Sequence, residues 1–206
     1  MPKPRPYHHG DLRQALMRSA EALIGEVGPR AFTLREVARR AGVSHNAPYR
    51  HFASRDDLLL AVAQEGYERL RVNMTKWMES SVSARKRLVL CGCGYVEFAL
   101  RWPRYFLVMF DLPELMHGKH DKGGIGVAAF QVLLDAIADA QQAGVLPEGD
   151  SVQLAWIAWS LVHGIAKLAV AGNLPLSHRK TLDFARRASE SIIDGIEHSG
   201  NRFKMR

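Results

Sequence analysis

Cysteine is scarce: Cys91 and Cys93 are the only two in 206 residues. Two are too few for a disulfide framework, so a reducing cytoplasm is the expected compartment. Two positions apart on a helix, their side chains point in different directions and do not easily pair, which leaves little support for a thiol sensor or redox enzyme. Strand alternation bounded by turns is missing, as are internal repeats and low-complexity segments. There is no glycine-rich phosphate loop and no nucleophile elbow, and Asp, His and Ser occur without a local catalytic signature. His117, His120 and Asp121 share a loop, but no fourth ligand follows at typical spacing, so neither a metal nor another cofactor is expected. An enzyme survives only as a weak rival. The first ten residues, Pro- and His-rich, have no apolar stretch before a cleavage site, which argues against a secretory signal. One long apolar run exists, Val152 to Ala171. Gln153, His163 and Lys167 interrupt it, and Lys167 would be costly at bilayer depth. A helix packed on one side in its own subunit and on another against a partner explains it better than a membrane span.

Acidic residues are also scarce near the N-terminus. Up to Arg55 there are ten Lys or Arg against four Asp or Glu, whereas Asp56 to Glu197 holds fifteen against seventeen and the last nine residues add three basic ones. The net charge of +7 therefore sits at the ends of a nearly neutral body. That distribution is the electrostatic footprint of a nucleic-acid reader. Lys3 and Arg5, on an N-terminal arm, are placed to meet phosphates or a minor groove. At 47% hydrophobic and 24% charged, the chain otherwise resembles an ordinary globular protein.

The organising stretch is Thr33 to Phe52, TLREVARRAGVSHNAPYRHF. Thr33 and Glu36 are spaced as a capping box, with Phe32 and Val37 at the two positions of a hydrophobic staple. Val37, Ala38 and Ala41 recur at helical spacing, and Gly42 stands where a helix end wants a left-handed residue. Val43 can plug the turn into the core, and Ser44 is expected to cap a second helix opening with His45 and Asn46. The spacing is that of a helix-turn-helix, whose second helix would enter a major groove. Ser44, Tyr49, Thr33 and Arg55 suit phosphates, and these contacts set register without reading sequence. His45 and Asn46 are the candidate base readers, because Asn can bond adenine bidentately. Phe52 is expected to anchor the turn to the core.

The run from Gly42 to Leu59, GVSHNAPYRHFASRDDLL, closely resembles the DNA-binding signature of the TetR family of bacterial transcriptional regulators, most diagnostically at Tyr49-Arg50-His51-Phe52 and Ser54-Arg55-Asp56-Asp57-Leu58. The resemblance is strong from Tyr7 to about Leu60. Trp159-Ser160-Leu161-Val162-His163-Gly164 is similar to a motif of one subset of that family. The resemblance implies a helix-turn-helix DNA-binding domain over residues 1–53 and a ligand-binding and dimerisation domain over 54–206. It adds Arg35 as a second-rank base reader and brings His51 into the DNA-binding set. Two departures stand out: Asn46 where glycine is frequent, and Pro48 where leucine or isoleucine is usual. Pro48 either shortens or tilts the helix start by forfeiting a backbone bond, or packs its ring on a thymine methyl.

Helices are also expected over Asp11–Val27, from the Ser54 cap to about Trp77, over Leu88–Leu100, after Trp102-Pro103, over Val127–Ala143, from the Asp150 cap to Ala171, and from Ser177 to about Glu197, with a loop over Met116–Gly126. The fold class is all-α, with about nine helices. Trp77, Phe98, Trp102, Phe106, Phe110, Trp156 and Trp159 are a large aromatic supply, suited collectively to an apolar cavity for a small apolar or amphipathic effector. Any one of them taken alone fits plain core. His163, one turn from Trp159, is the polar candidate, although a satisfied interior histidine is the commoner case. Leu182, Ala185, Ser189, Ile192, Ile193 and Ile196 form an apolar stripe on the last helix, read as a homodimer interface. One reading element contacts few base pairs, so a two-fold dimer on a near-palindromic operator is expected. Most members of the resembled family repress; activation stays open.

Overall fold

A computed structural model describes residues 9–112, 124 and 126–198. The arm carrying Lys3 and Arg5, and His117, His120 and Asp121 of the expected loop, lie outside the described residues. Among these residues the structure is all helical: α1 (His9–Val27), α2 (Leu34–Arg40), a 3-10 turn (Pro48–Arg50), α3 (Arg55–Met78), α4 (Ala84–Arg101), α5 (Pro103–Asp111), α6 (Val127–Gln142), α7 (Ser151–Val170) and α8 (His178–His198).

The helix ends follow the sequence punctuation. Ser54 Oγ accepts the Asp57 amide at 3.0 Å and opens α3. Asp150 Oδ1 accepts the amides of Val152 (2.8 Å) and Gln153 (3.2 Å) and opens α7. Each such cap contributes about 1 kcal/mol.

The described residues fall into two compact units, one drawn from 1–66 and 104–125, the other from 67–103 and 126–206. In the first, Leu16, Ala20 and Ile24 of α1 are buried with Phe32, Val37, Phe52, Leu58 and Val62. Burying a side chain of that size contributes about 1.5–3 kcal/mol. Tyr105 of α5 donates its hydroxyl to Glu65 of α3 at 3.2 Å. In the second unit α4 is the hub, packing against α6, α7 and α8. It is buried on most sides along residues 88–99, where Glu97 is the one charged residue. Asn73 on α3 donates from Nδ2 to the Gly94 carbonyl at 2.7 Å inside this unit.

The apolar stripe of α8 faces inward. Ala185, Ser189, Ile193 and Ile196 are buried within the single chain, while Leu182 and Ile192 are half-buried. A stripe shows that a helix covers something; here the first thing covered is the chain's own α4. The outward face of α8 carries instead Phe184, Ser191 and Gly195, with half-buried Ala188 beside them. On α7, Val152, Trp156, Ser160 and Leu168 recur every four residues on an exposed line, with half-buried Gly164 between the last two. Helix α7 is the one described helix long and apolar enough to cross a membrane, and only 28% of its most apolar window is buried in this chain.

Candidate nucleic-acid interface and effector cavity

The capping box at the start of α2 is complete. Thr33 Oγ1 accepts the Glu36 amide at 3.3 Å, and Glu36 Oε2 accepts from the Thr33 amide at 2.7 Å and from the Thr33 hydroxyl at 2.9 Å. The Thr33 side chain is thus engaged in holding α2. The helix stops at Gly42, whose φ of 69° is left-handed. The amide of Gly42 bonds the Arg39 carbonyl (3.3 Å) and that of Val43 the Ala38 carbonyl (3.0 Å), the two bonds of a Schellman stop.

The expected second helix is not formed. Ser44 caps nothing regular, and only Pro48–Arg50 coils, as a 3-10 turn. The cause is Pro48, which has no N–H to give the Ser44 carbonyl four residues back. That carbonyl takes the Ala47 amide instead (2.9 Å), and Arg50 repeats the three-residue pattern onto Ala47 (3.2 Å). The amides of His51 and Phe52 then both bond the Pro48 carbonyl, each at 2.9 Å. Pro48 is itself buried, so its ring is not presented to a thymine methyl. Phe52 is buried as expected, and the Arg13 guanidinium lies 5.4 Å from its ring centroid.

Around these anchors Ser44, His45, Asn46 and Tyr49 are exposed, Tyr49 at 52%. Arg35 is exposed on α2 without an acidic partner. Arg39 and Arg50 are likewise exposed and have no partner among the described residues, and neither stood among the expected contacts. Their signal was present in the sequence, as cations flanking the turn, Arg50 with no acid at helical spacing and Arg39 behind a Glu36 that the Thr33 cap engages. Arg40 differs, being held bidentately by Glu26 at 2.6 and 2.7 Å, which keeps that carboxyl below its ordinary range. Arg55 is also engaged. It donates to the Arg30 carbonyl at 2.9 Å and pairs with Asp56 at 3.0 Å, so its guanidinium ties the start of α3 to the loop after α1. His51 is half-buried, and its Nε2 is enclosed without a hydrogen-bond partner.

The aromatic set expected to line one cavity is divided. Phe106 and Phe110, with ring centroids 5.0 Å apart, belong to the first unit, where Phe106 is fully buried. In the second unit Phe98 is fully buried against Trp102 at 5.7 Å, Trp77 is half-buried, and Trp156 is 59% exposed. Trp159 alone of the set lines the cavity described here. That cavity, of about 40 Å³, lies among α3, α4, α6, α7 and α8 and is walled chiefly by Met74, Leu133, Ile137, Leu154, Val162 and Ile193. No charged side chain lines it; its polar groups come from Tyr95, Trp159 and Ser189.

Tyr95 had no place in the sequence reading, because a lone tyrosine on an apolar helix carries no periodic signal. In the structure it is the centre of a polar cluster. Trp159 donates its indole N–H to the Tyr95 oxygen at 3.2 Å, and that oxygen lies 2.8 Å from His163 Nδ1. The oxygen has a second lone pair and its own proton, so it can bond Nδ1 as donor or as acceptor. Burial pushes the Tyr95 phenol far above its ordinary range, which keeps that proton in place. The tryptophan and histidine of the Trp159–Gly164 motif thus hold one tyrosine of α4.

Cys91 and Cys93 are buried and unbridged. Burial pushes their thiols up to about 12 and about 11, so neither is a thiolate near neutral pH.

A family model described as "Bacterial regulatory proteins, tetR family" matches residues 16–62, and one described as "Tetracyclin repressor-like, C-terminal domain" matches residues 88–192. The chain is 34% identical over 76 residues to the HTH-type transcriptional regulator BetI of Rhizobium meliloti, a stretch spanning 37% of this chain and 37% of that regulator. A structure of a protein with unknown function from Rhodococcus sp. RHA1 is 32% identical, covers 94% of this chain and 100% of its own, and superposes with a TM-score of 0.81. The fold is shared at 17% identity and a TM-score of 0.75 with the transcriptional regulator FadR from Bacillus subtilis, solved in complex with stearoyl-CoA, over 89% of this chain and 98% of that one. With its N-terminal and C-terminal regions each matched by a model of that family, the chain belongs to the tetR family of bacterial regulatory proteins.

Proposed function

We infer that this protein is a ligand-responsive, DNA-binding transcriptional regulator of the cytoplasm, acting as a homodimer and most simply as a repressor. One observation carries the reading. The α2 stop and the Pro48 turn bury Pro48 and Phe52 while leaving Ser44, His45, Asn46 and Tyr49 exposed beside Arg35, Arg39 and Arg50, cations without a partner among the described residues. In this arrangement Ser44, Tyr49, Arg39 and Arg50 meet phosphates, and His45, Asn46 and Arg35 reach base edges. Thr33, His51 and Arg55 support the surface from behind, since the first and last are bonded within the chain and His51 Nε2 is enclosed.

The exposed lines of α7 and α8 supply the dimer contact: Val152, Trp156, Gly164 and Leu168 on one, Phe184, Ala188 and Gly195 on the other. Small residues beside large ones let two helix pairs approach closely across a two-fold axis. The effector is a small apolar or amphipathic molecule bound in the second unit. The binding of stearoyl-CoA by the structural neighbour FadR supports an apolar effector as a class. Footprinting the DNA that flanks the protein's own reading frame tests the reading. A protected site with two-fold symmetry, its halves about 34 Å apart or a multiple of that, is expected. Uniform protection without a site would overturn it.

A further inference from the structure

Ser189 stands out in the cavity of the second unit. It is 6% exposed, lines the cavity, and its Oγ is enclosed without a hydrogen-bond partner. An interior hydroxyl left unpaired is destabilising unless something in the cavity bonds it. The neighbouring helix leaves room for it. A Cβ at Gly92 would come within 3.0 Å of both Ser189 Oγ and Val162 Cγ1, closer than side chains ordinarily pack. The other polar groups are occupied in part: the Tyr95 oxygen accepts from Trp159 and shares a hydrogen bond with His163 Nδ1. Ser189 is thus the hydroxyl of this cavity whose donor and acceptor capacity the chain itself does not use.

We propose that this cavity binds a small, uncharged, unbranched apolar molecule, or such a segment of a longer one, through a single carbonyl or hydroxyl oxygen hydrogen-bonded to Ser189. The proposal deepens the effector reading above and rests on it for its regulatory meaning. Charge is excluded because no ionised side chain lines the walls, and an unpaired ion there would carry its full desolvation penalty. Size follows from volume. About 40 Å³ exceeds the ~10–15 Å³ that one water needs and falls short of the ~150 Å³ of a cavity that admits a benzene ring. A narrow chain fits and a ring does not. Among the half-buried lining residues are Leu161 of α7 and Ile192 of α8. These two residues adjoin the outward lines that carry Ser160 and Gly164 on α7 and Ala188, Ser191 and Gly195 on α8. Occupancy is therefore placed to alter the two helices assigned to the dimer contact.

The probes are 2-butanone, which has the oxygen, and xenon, which does not. Binding is followed in the full-length protein by NMR shifts of the Trp159 indole and of the Ile193 and Leu154 methyl groups. Wild type is expected to bind both. Ser189→Ala should weaken 2-butanone about threefold to tenfold and leave xenon unchanged or tighter, the size of effect a neutral hydrogen bond gives. Ala158→Leu, which fills the cavity from a half-buried position, should abolish both while the helical spectrum is retained. Shifts absent from these residues in wild type, or equal 2-butanone affinity in wild type and Ser189→Ala, would overturn the site. Operator binding measured without either probe separates the two readings. If it is intact while the cavity stays unliganded, the site fails and the regulator reading stands; if no operator exists but 2-butanone binds through Ser189, the reverse holds.

Discussion

Tyr95 and His163, 68 residues apart in sequence, meet at 2.8 Å between the phenolic oxygen and Nδ1, and so tie α4 to α7 through a part-buried bond. Trp159 adds a second bond to the same oxygen. Removing the oxygen deletes both of these bonds. Tyr95→Phe is therefore expected to lower stability by about 1–3 kcal/mol. Urea unfolding should show a lower midpoint with an unchanged slope. An unchanged midpoint would mean that the cluster holds nothing together.

The cations near the turn divide by their partners. Arg39→Ala and Arg50→Ala are each expected to weaken binding to every DNA sequence alike and to lower the salt slope by about one unit. Arg55→Ala should leave that slope where it is. Its guanidinium, 37% exposed, serves Arg30 and Asp56, and losing such a surface pair costs at most about 1 kcal/mol of stability. A slope change for Arg55→Ala as large as that for Arg50→Ala would show that its internal bonds exchange for phosphate.

Outward and inward residues of α7 and α8 should behave oppositely. Trp156→Glu combined with Phe184→Glu places charges on positions that are 59% and 41% exposed in the single chain. The variant should sediment as a folded monomer at micromolar concentration. Ile193→Asp, at a position 3% exposed, should unfold the protein, since it buries a charge without a partner. A folded dimer in the double variant would remove these faces from the interface.

The thiols give a pH test. In the folded chain Cys91 is pushed up to about 12 from an unfolded value of 9.0, so the unfolded state loses its proton first. Its contribution is fully present below pH 9 and declines as pH rises from there toward 12. Urea midpoints should fall between pH 8 and pH 10, less so in Cys91→Ala. At pH 8 a thiol reagent should modify neither cysteine until denaturant is added. Rapid modification of native protein would contradict their enclosure.

Helix ends proved the most legible part of the chain, because caps and stops are local chemistry. Thr33 with Glu36, Gly42, Ser54 and Asp150 each do what their spacing implied. The Pro48 turn was half legible. The lost amide was foreseeable, but the burial of the ring was not, since it depends on what packs above it. Partners distant in sequence were not legible: Arg55 finds a carbonyl 25 residues back, and Tyr95 finds its bonds on another helix. The α8 stripe marks the general difficulty. Periodicity at Ala185, Ser189, Ile193 and Ile196 shows that a face is covered without showing by what, and the chain's own α4 covers it here. Aromatic count misled in the same way, by pooling side chains that the fold assigns to two separate units.

The central claim is that the exposed residues of the Pro48 turn read DNA, and Asn46 tests it most directly. Binding constants for wild type and Asn46→Ala should be measured on the footprinted site and on random duplex, each over a range of salt. Asn46 is exposed and has no role in the core, so its loss should weaken the specific site by about 1–3 kcal/mol. Affinity for random duplex and both salt slopes should stay the same. Equal losses on the two DNAs, or none on either, would contradict the assignment of this turn as the reading surface.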